Sequence, residues 1–214
     1  MKPFIALTAT AAVLSIVACG PSQTEIDAAN AKKTADSLAT AAAMEKTYAI
    51  DAAGSSVRWQ GNMTGLKAYS HFGTIGVDGG AFMVKGGMLT GGSLLINMKG
   101  INPQDSGYSA EHPKEDLIGH LSSADFFAVD SFPTATFKII SVEGNTATGE
   151  LTLRGKTSTE KVTDIIVADE GDMAKVTGKL AFDRQKYGVA WKAMKDMMLA
   201  DNIEMEVSLS GKKK

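Results

Sequence analysis

From Tyr48 onward the apolar positions recur every second residue. Val57 and Trp59 alternate with Ser56, Arg58 and Gln60, and Leu94, Ile96 and Met98 alternate with Leu95, Asn97 and Lys99. Ala135, Phe137 and Ile139 alternate with Thr134, Thr136 and Lys138, and Leu151 and Leu153 with Glu150, Thr152 and Arg154. The same period runs through Val176, Gly178, Leu180 and Phe182, and through Ile203, Met205, Val207 and Leu209. Successive side chains on a strand point to opposite faces, so each segment predicts a strand with one dry and one wet side. Asp78-Gly79-Gly80, Lys85-Gly86-Gly87, Thr90-Gly91-Gly92 and Glu143-Gly144-Asn145 read as turns between such strands. Strands do not alternate with helices, which argues against a doubly wound sheet. The expected fold is all-β, an antiparallel barrel of about eight strands, a number that closes around packed side chains or one small ligand.

Two stretches break the period. Leu117, Ile118 and Leu121 stand at helical spacing within Pro113–Asp125, which predicts one short helix. From Gly20 to about Lys46 the chain is rich in alanine and charge and carries no continuous apolar stripe. It predicts a helical or flexible spacer, and the lack of sustained heptads argues against a coiled coil.

The first residues change the picture again. Lys2 precedes an apolar run from Phe4 to Ala18 that is short for a membrane span but long enough for a signal-peptide core. It ends in Ile16-Val17-Ala18-Cys19, which resembles the bacterial lipobox. That resemblance implies a thioether-linked diacylglycerol on Cys19, cleavage before it and acylation of the new α-amine. Several acyl chains, at about 0.8 kcal/mol per buried CH₂, make such a tether effectively permanent. Gly20 in place of an aspartate points to the outer membrane, with the face left open. The expected organisation is a signal peptide over residues 1–18, a lipidated tether and linker over 19–46, and a barrel domain over 47–214.

Composition narrows the functions. The 214-residue chain has a formal net charge of −2, which lacks the basic excess that phosphate neutralisation needs and argues against nucleic acid. Its single cysteine excludes an intramolecular disulfide. His71, His112 and His120 form no metal-binding spacing, so no metal is expected. No GxSxG elbow, P-loop or GxGxxG is present, and Glu111, Glu115 and Asp116 read as a solvated face, so no enzyme is expected.

Several segments carry a family resemblance. They are Tyr48-Ala49-Ile50-Asp51 with Ser55 to Trp59, then His71 to Ile75, then Gly91 to Met98. The most specific runs from His120 through Asp125-Phe126-Phe127 to Phe137, followed by Thr148 to Thr157 and by Phe182-Asp183-Arg184-Gln185-Lys186-Tyr187-Gly188. Together, over roughly Tyr48 to Leu209, they resemble the YceI-like, polyisoprenoid-binding, lipocalin-like proteins. The stretch between Trp59 and His71 is longer than in many members, and Lys192–Leu199 is methionine-rich.

The resemblance implies a barrel in the cell envelope that encloses an isoprenoid or related amphipathic lipid, a quinone-like ligand included, with no other cofactor. Period-two residues alone leave a filled core and a lined cavity equally open. Candidate ligand contacts are Trp59, Phe137, Phe182 and Trp191 on or beside strands, with Phe126 and Phe127 next to the helix end. Adjacent in sequence, those two phenylalanines are expected to point different ways. His71 and His120 are candidates to hydrogen-bond a headgroup, and Arg184, expected in a strand, is a candidate cation for one or a rim ion pair. Met194, Met197 and Met198 are a candidate gate. A surface-acting structural or stress-response protein with a filled barrel is the alternative, and the oligomeric state, a homodimer included, is open.

Overall fold

Eight strands follow one another around a single closed sheet. They are β1 (Lys46–Gly65), β2 (Tyr69–Lys85), β3 (Met88–Pro103), β4 (Thr134–Glu143), β5 (Thr146–Leu153), β6 (Lys156–Asp169), β7 (Met173–Asp183) and β8 (Met197–Lys213). Each pairs antiparallel with its sequence neighbour, and β8 returns to β1 with Val207 opposite Val57 and Met205 opposite Trp59. This is a computed structural model, and it describes residues 22–65, 68–192 and 197–214. The leader, Cys19 and Met194 lie outside the described residues.

The barrel is the expected all-β architecture, and its alternation is physical. Val57, Leu94, Ile96, Phe137, Leu151 and Phe182 are all buried, whereas outward Leu95 and Ile140 are exposed. Closure leaves no free sheet edge among these strands to pair with another chain.

Two of the four expected turns are turns. Gly86 and Gly87 link β2 to β3, and Gly144 and Asn145 link β4 to β5. The other two glycine pairs lie inside strands, Gly79-Gly80 in β2 and Gly91-Gly92 in β3. The β2–β3 register slips there, with Val77 opposite Ile96 but Gly79 opposite Leu95, so Asp78 is the extra residue of a bulge. Gly80 and Gly92 have φ of 129° and 154°, and a Cβ on Gly92 would come 2.7 Å from the Ala81 carbonyl oxygen. Glycine here bends two long strands at close approach, which a local composition signal does not distinguish from a turn.

The chain divides into two units, with the boundary between Ala41 and Ala42. The spacer is a helix, α1 (Gln23–Ala43), nearly all of it in the first unit. Ser22 and Glu25 form a reciprocal cap: the Ser22 amide donates to Glu25 Oε2 at 2.7 Å and the Glu25 amide to Ser22 Oγ at 3.4 Å. In the second, α2 (Lys114–Ser122) replaces the longer helix expected over 113–125. Ser123 to Ser131 instead form a compact turn, with the Ala128 amide on the Ser123 carbonyl at 2.8 Å and the Val129 amide on Ser122 at 2.9 Å.

Candidate functional site

The barrel is hollow. A cavity of about 370 Å³ lies along its interior, within the range of pockets that hold small ligands and far larger than the voids of a packed core. All eight strands contribute to its wall, mostly through aliphatic and aromatic side chains such as Met63, Ile75, Met98, Ile165, Met205 and Leu209.

One end carries a polar clamp behind an aromatic pair. Tyr48 and Phe82 stack with ring centroids 5.4 Å apart. The Tyr48 hydroxyl donates to Asp169 Oδ1 at 2.7 Å, and Lys46 Nζ lies 2.9 Å from Asp169 Oδ2, tying β1 to the end of β6. Burial would push the Asp169 carboxyl up, but the hydrogen bonds from Lys46 and Tyr48 outweigh it and hold the group below the usual carboxylate range. Burial, reinforced by Asp169, pushes the Tyr48 phenol up to about 12.

The other end carries α2, the Ser123–Ser131 turn and the segment after β7. Leu117, His120 and Leu121 of α2 line the cavity, as do Phe126, Phe127 and Trp191. The two phenylalanines do not point different ways. They sit in a turn, where the alternation of a strand does not apply, and meet edge to face at 4.9 Å. Trp191 meets the His120 ring edge to face at 4.8 Å. His120 Nε2 is buried, and among the described residues it has no hydrogen-bond partner.

His71 lines the cavity from the start of β2. Its Nδ1 is 2.8 Å from Asp105 Oδ2, and the Tyr108 hydroxyl donates to Asp105 Oδ1 at 2.8 Å. Burial would raise the Asp105 carboxyl, but the hydrogen bonds from His71 and Tyr108 prevail and hold it low. Burial and Asp105 together push the Tyr108 phenol up to about 12. Neither Asp105 nor Tyr108 is visible as a site residue in the sequence, because both sit in an aperiodic polar loop after β3.

The structure thus brings Trp59, His71, Phe126, Phe127, Phe137, Phe182 and Trp191 to one cavity wall and leaves Arg184 out of it. Arg184 is not in a strand. It opens a short 3-10 helix, Arg184–Tyr187, and its side chain is 3% exposed. Its guanidinium donates to the carbonyls of Val189, Trp191, Leu199 and Ala200 and to Asp201 Oδ1 at 3.1 Å. Those acceptors occupy the fork, so Arg184 clamps the segments on either side of residues 193–196 instead of offering a free cation. Of the candidate gate, Met198 is exposed at 71%, and Met194 and the Met197 side chain lie outside what the structure describes.

Comparison with known proteins agrees with this architecture. The chain is similar over 99 residues to the UPF0312 proteins of Staphylococcus aureus strains bovine RF122 / ET3-1 and N315, at 32% and 31% identity. Each match spans 42% of this chain and 57% of the relative, so the chain covers little more than half the length of these curated relatives. Among solved structures it is similar to Burkholderia cenocepacia BcnA, with a TM-score of 0.51 and 19% identity over 75% of this chain and 98% of that one. A polyisoprenoid binding domain from Saccharophagus degradans matches with a TM-score of 0.48 and 11% identity, over 78% and 98% of the two chains. The model of the YceI-like domain matches residues 48–211, from the buried Tyr48 of β1 to Gly211 near the end of β8, and the chain belongs to the YceI-like domain family.

Proposed function

We propose that this protein binds an isoprenoid or similar amphipathic lipid inside its barrel and carries, stores or shields it beside an envelope membrane. The cavity carries the reading: a hydrocarbon-lined interior of about 370 Å³ supplies burial that a filled barrel would not. Each Å² of ligand surface removed from water contributes about 25 cal/mol before the costs of association are subtracted. The wall has few polar groups, which suits holding a molecule better than transforming it, so the function is binding and not catalysis. Anchoring through a lipidated Cys19, in the outer membrane, belongs to the same proposal and rests on the lipobox-like Ile16-Val17-Ala18-Cys19.

Mass spectrometry of organic extracts from freshly purified, untagged protein tests it. The expected result is one class of lipid in stoichiometric amount. A lipid-free extract, together with failure to take up added prenyl chains, overturns the proposal and favours a protein acting through its surface.

A further inference from the structure

The cavity wall is chemically uneven along its length. At the Tyr48 end the polar groups are spent on one another, with Lys46 and Tyr48 both on Asp169. On the wall itself, Trp59 Nε1 is spent on the Thr74 carbonyl at 3.1 Å. Both histidines of the wall stand at the other end. His71 lies near the start of β2, opposite the end of β1, and His120 lies in the last turn of α2.

His71 is oriented by an acceptor that tolerates only one arrangement. The Asp105 side chain is 7% exposed, and as a carboxylate it can only accept. One of its oxygens takes the Tyr108 hydroxyl and the other faces His71 Nδ1, so Nδ1 must carry the proton. The loop cannot easily swing away, because the Gln104 amide beside it donates to the Phe72 carbonyl at 2.8 Å. In the uncharged ring, Nε2 then presents a lone pair, and no hydrogen bond reaches it among the described residues. His120 Nε2, at the same end, is a second buried imidazole nitrogen for which no hydrogen-bond partner is found among the described residues.

Resting on the lipid-binding reading above, we propose that the cavity selects a long apolar chain bearing a neutral hydrogen-bond-donating end, an alcohol-type O–H that His71 Nε2 accepts. Asp105 and Tyr108 act as positioning residues that hold the accepting nitrogen in place. The chain lies toward Tyr48 and Phe82, and the hydroxyl lies at the imidazole end.

The two tryptophans of the chain, Trp59 and Trp191, both line the cavity and report its occupancy by fluorescence. The full-length protein is titrated with geranylgeraniol, its methyl ether and the parent hydrocarbon under mildly alkaline conditions. The alcohol is expected to bind about tenfold more tightly than the ether, the effect of one hydrogen bond whose loss leaves its partner unmet. Equal binding of alcohol and ether overturns this proposal and leaves the lipid-binding reading intact. No binding of any of the three overturns that reading itself.

Asp105→Asn separates positioning from packing. Its amide donates to Nδ1 and moves the proton to Nε2, which then serves alcohol and ether alike, so the ratio falls to about one. His71→Phe also abolishes the ratio while hydrocarbon binding persists. Retention of the wild-type ratio in a folded Asp105→Asn protein refutes the positioning role. Should either variant fail to fold, the three-ligand comparison on the wild-type chain still decides the proposal.

Discussion

Tyr48 shows how one residue serves both packing and chemistry. Its ring is fully buried against Phe82, and its hydroxyl donates to Asp169 at the end of β6. The folded-state phenol is raised to about 12, so its contribution to stability is fully present below about pH 10 and is lost as pH rises through about 12. Asp169 behaves in the opposite sense. Its folded carboxyl is held low, so its contribution is present above the ordinary carboxylate range and is lost on acidification through the lowered value. Tyr48→Phe is expected to cost about 1 kcal/mol at neutral pH and to flatten part of the decline between about pH 10 and 12. Urea midpoints measured across that range check it, and an unchanged alkaline slope would contradict the clamp.

Elements meet at the imidazole end through Arg184. The 3-10 helix after β7 ends at Gly188 in a left-handed conformation, and Tyr187 and Lys186 reach back to the buried Glu160 of β6, each at 3.0 Å. From the same helix Arg184 gathers carbonyls on both sides of residues 193–196. Arg184→Ala is expected to cost about 3 kcal/mol or more, because several backbone acceptors lose their donor at once. Arg184→Lys should recover little of it, since an ammonium cannot reproduce the planar fork. Urea denaturation measures both, and a lysine variant of wild-type stability would refute the clamp. The sequence motif Asp183-Arg184-Gln185-Lys186-Tyr187 marks this corner, but a charged residue beside a strand looks alike whether it faces solvent, ligand or backbone. Only the fold of the neighbouring segments turned it inward.

At the scale of the whole molecule, the proposed lipid binding and the proposed membrane tether make separate demands on the chain. The tether is expected to need Cys19 alone: palmitate labelling in cells should mark the wild type and not Cys19→Ser, and equal labelling of the two would remove the lipoprotein proposal. The barrel demands closure and an interior kept apolar, and both were legible along the chain. Period-two runs such as Leu94-Ile96-Met98 and Val176-Leu180-Phe182 became cavity wall because a strand has only two faces, and in a closed sheet only one is dry. Lys85-Gly86-Gly87 likewise announced a turn. Tertiary structure decided what depends on distant neighbours. It put Gly79-Gly80 and Gly91-Gly92 inside bent strands, because strand approach, not local composition, uses their freedom. It left a cavity where side-chain volumes alone allowed a filled core, because the void is set by barrel geometry and not by any one strand. It also set Asp105 and Tyr108, from a loop without periodicity, against His71 some thirty residues away. The strands and their dry faces are local properties of alternation, readable from the chain; the cavity and its polar end arise where separated segments meet.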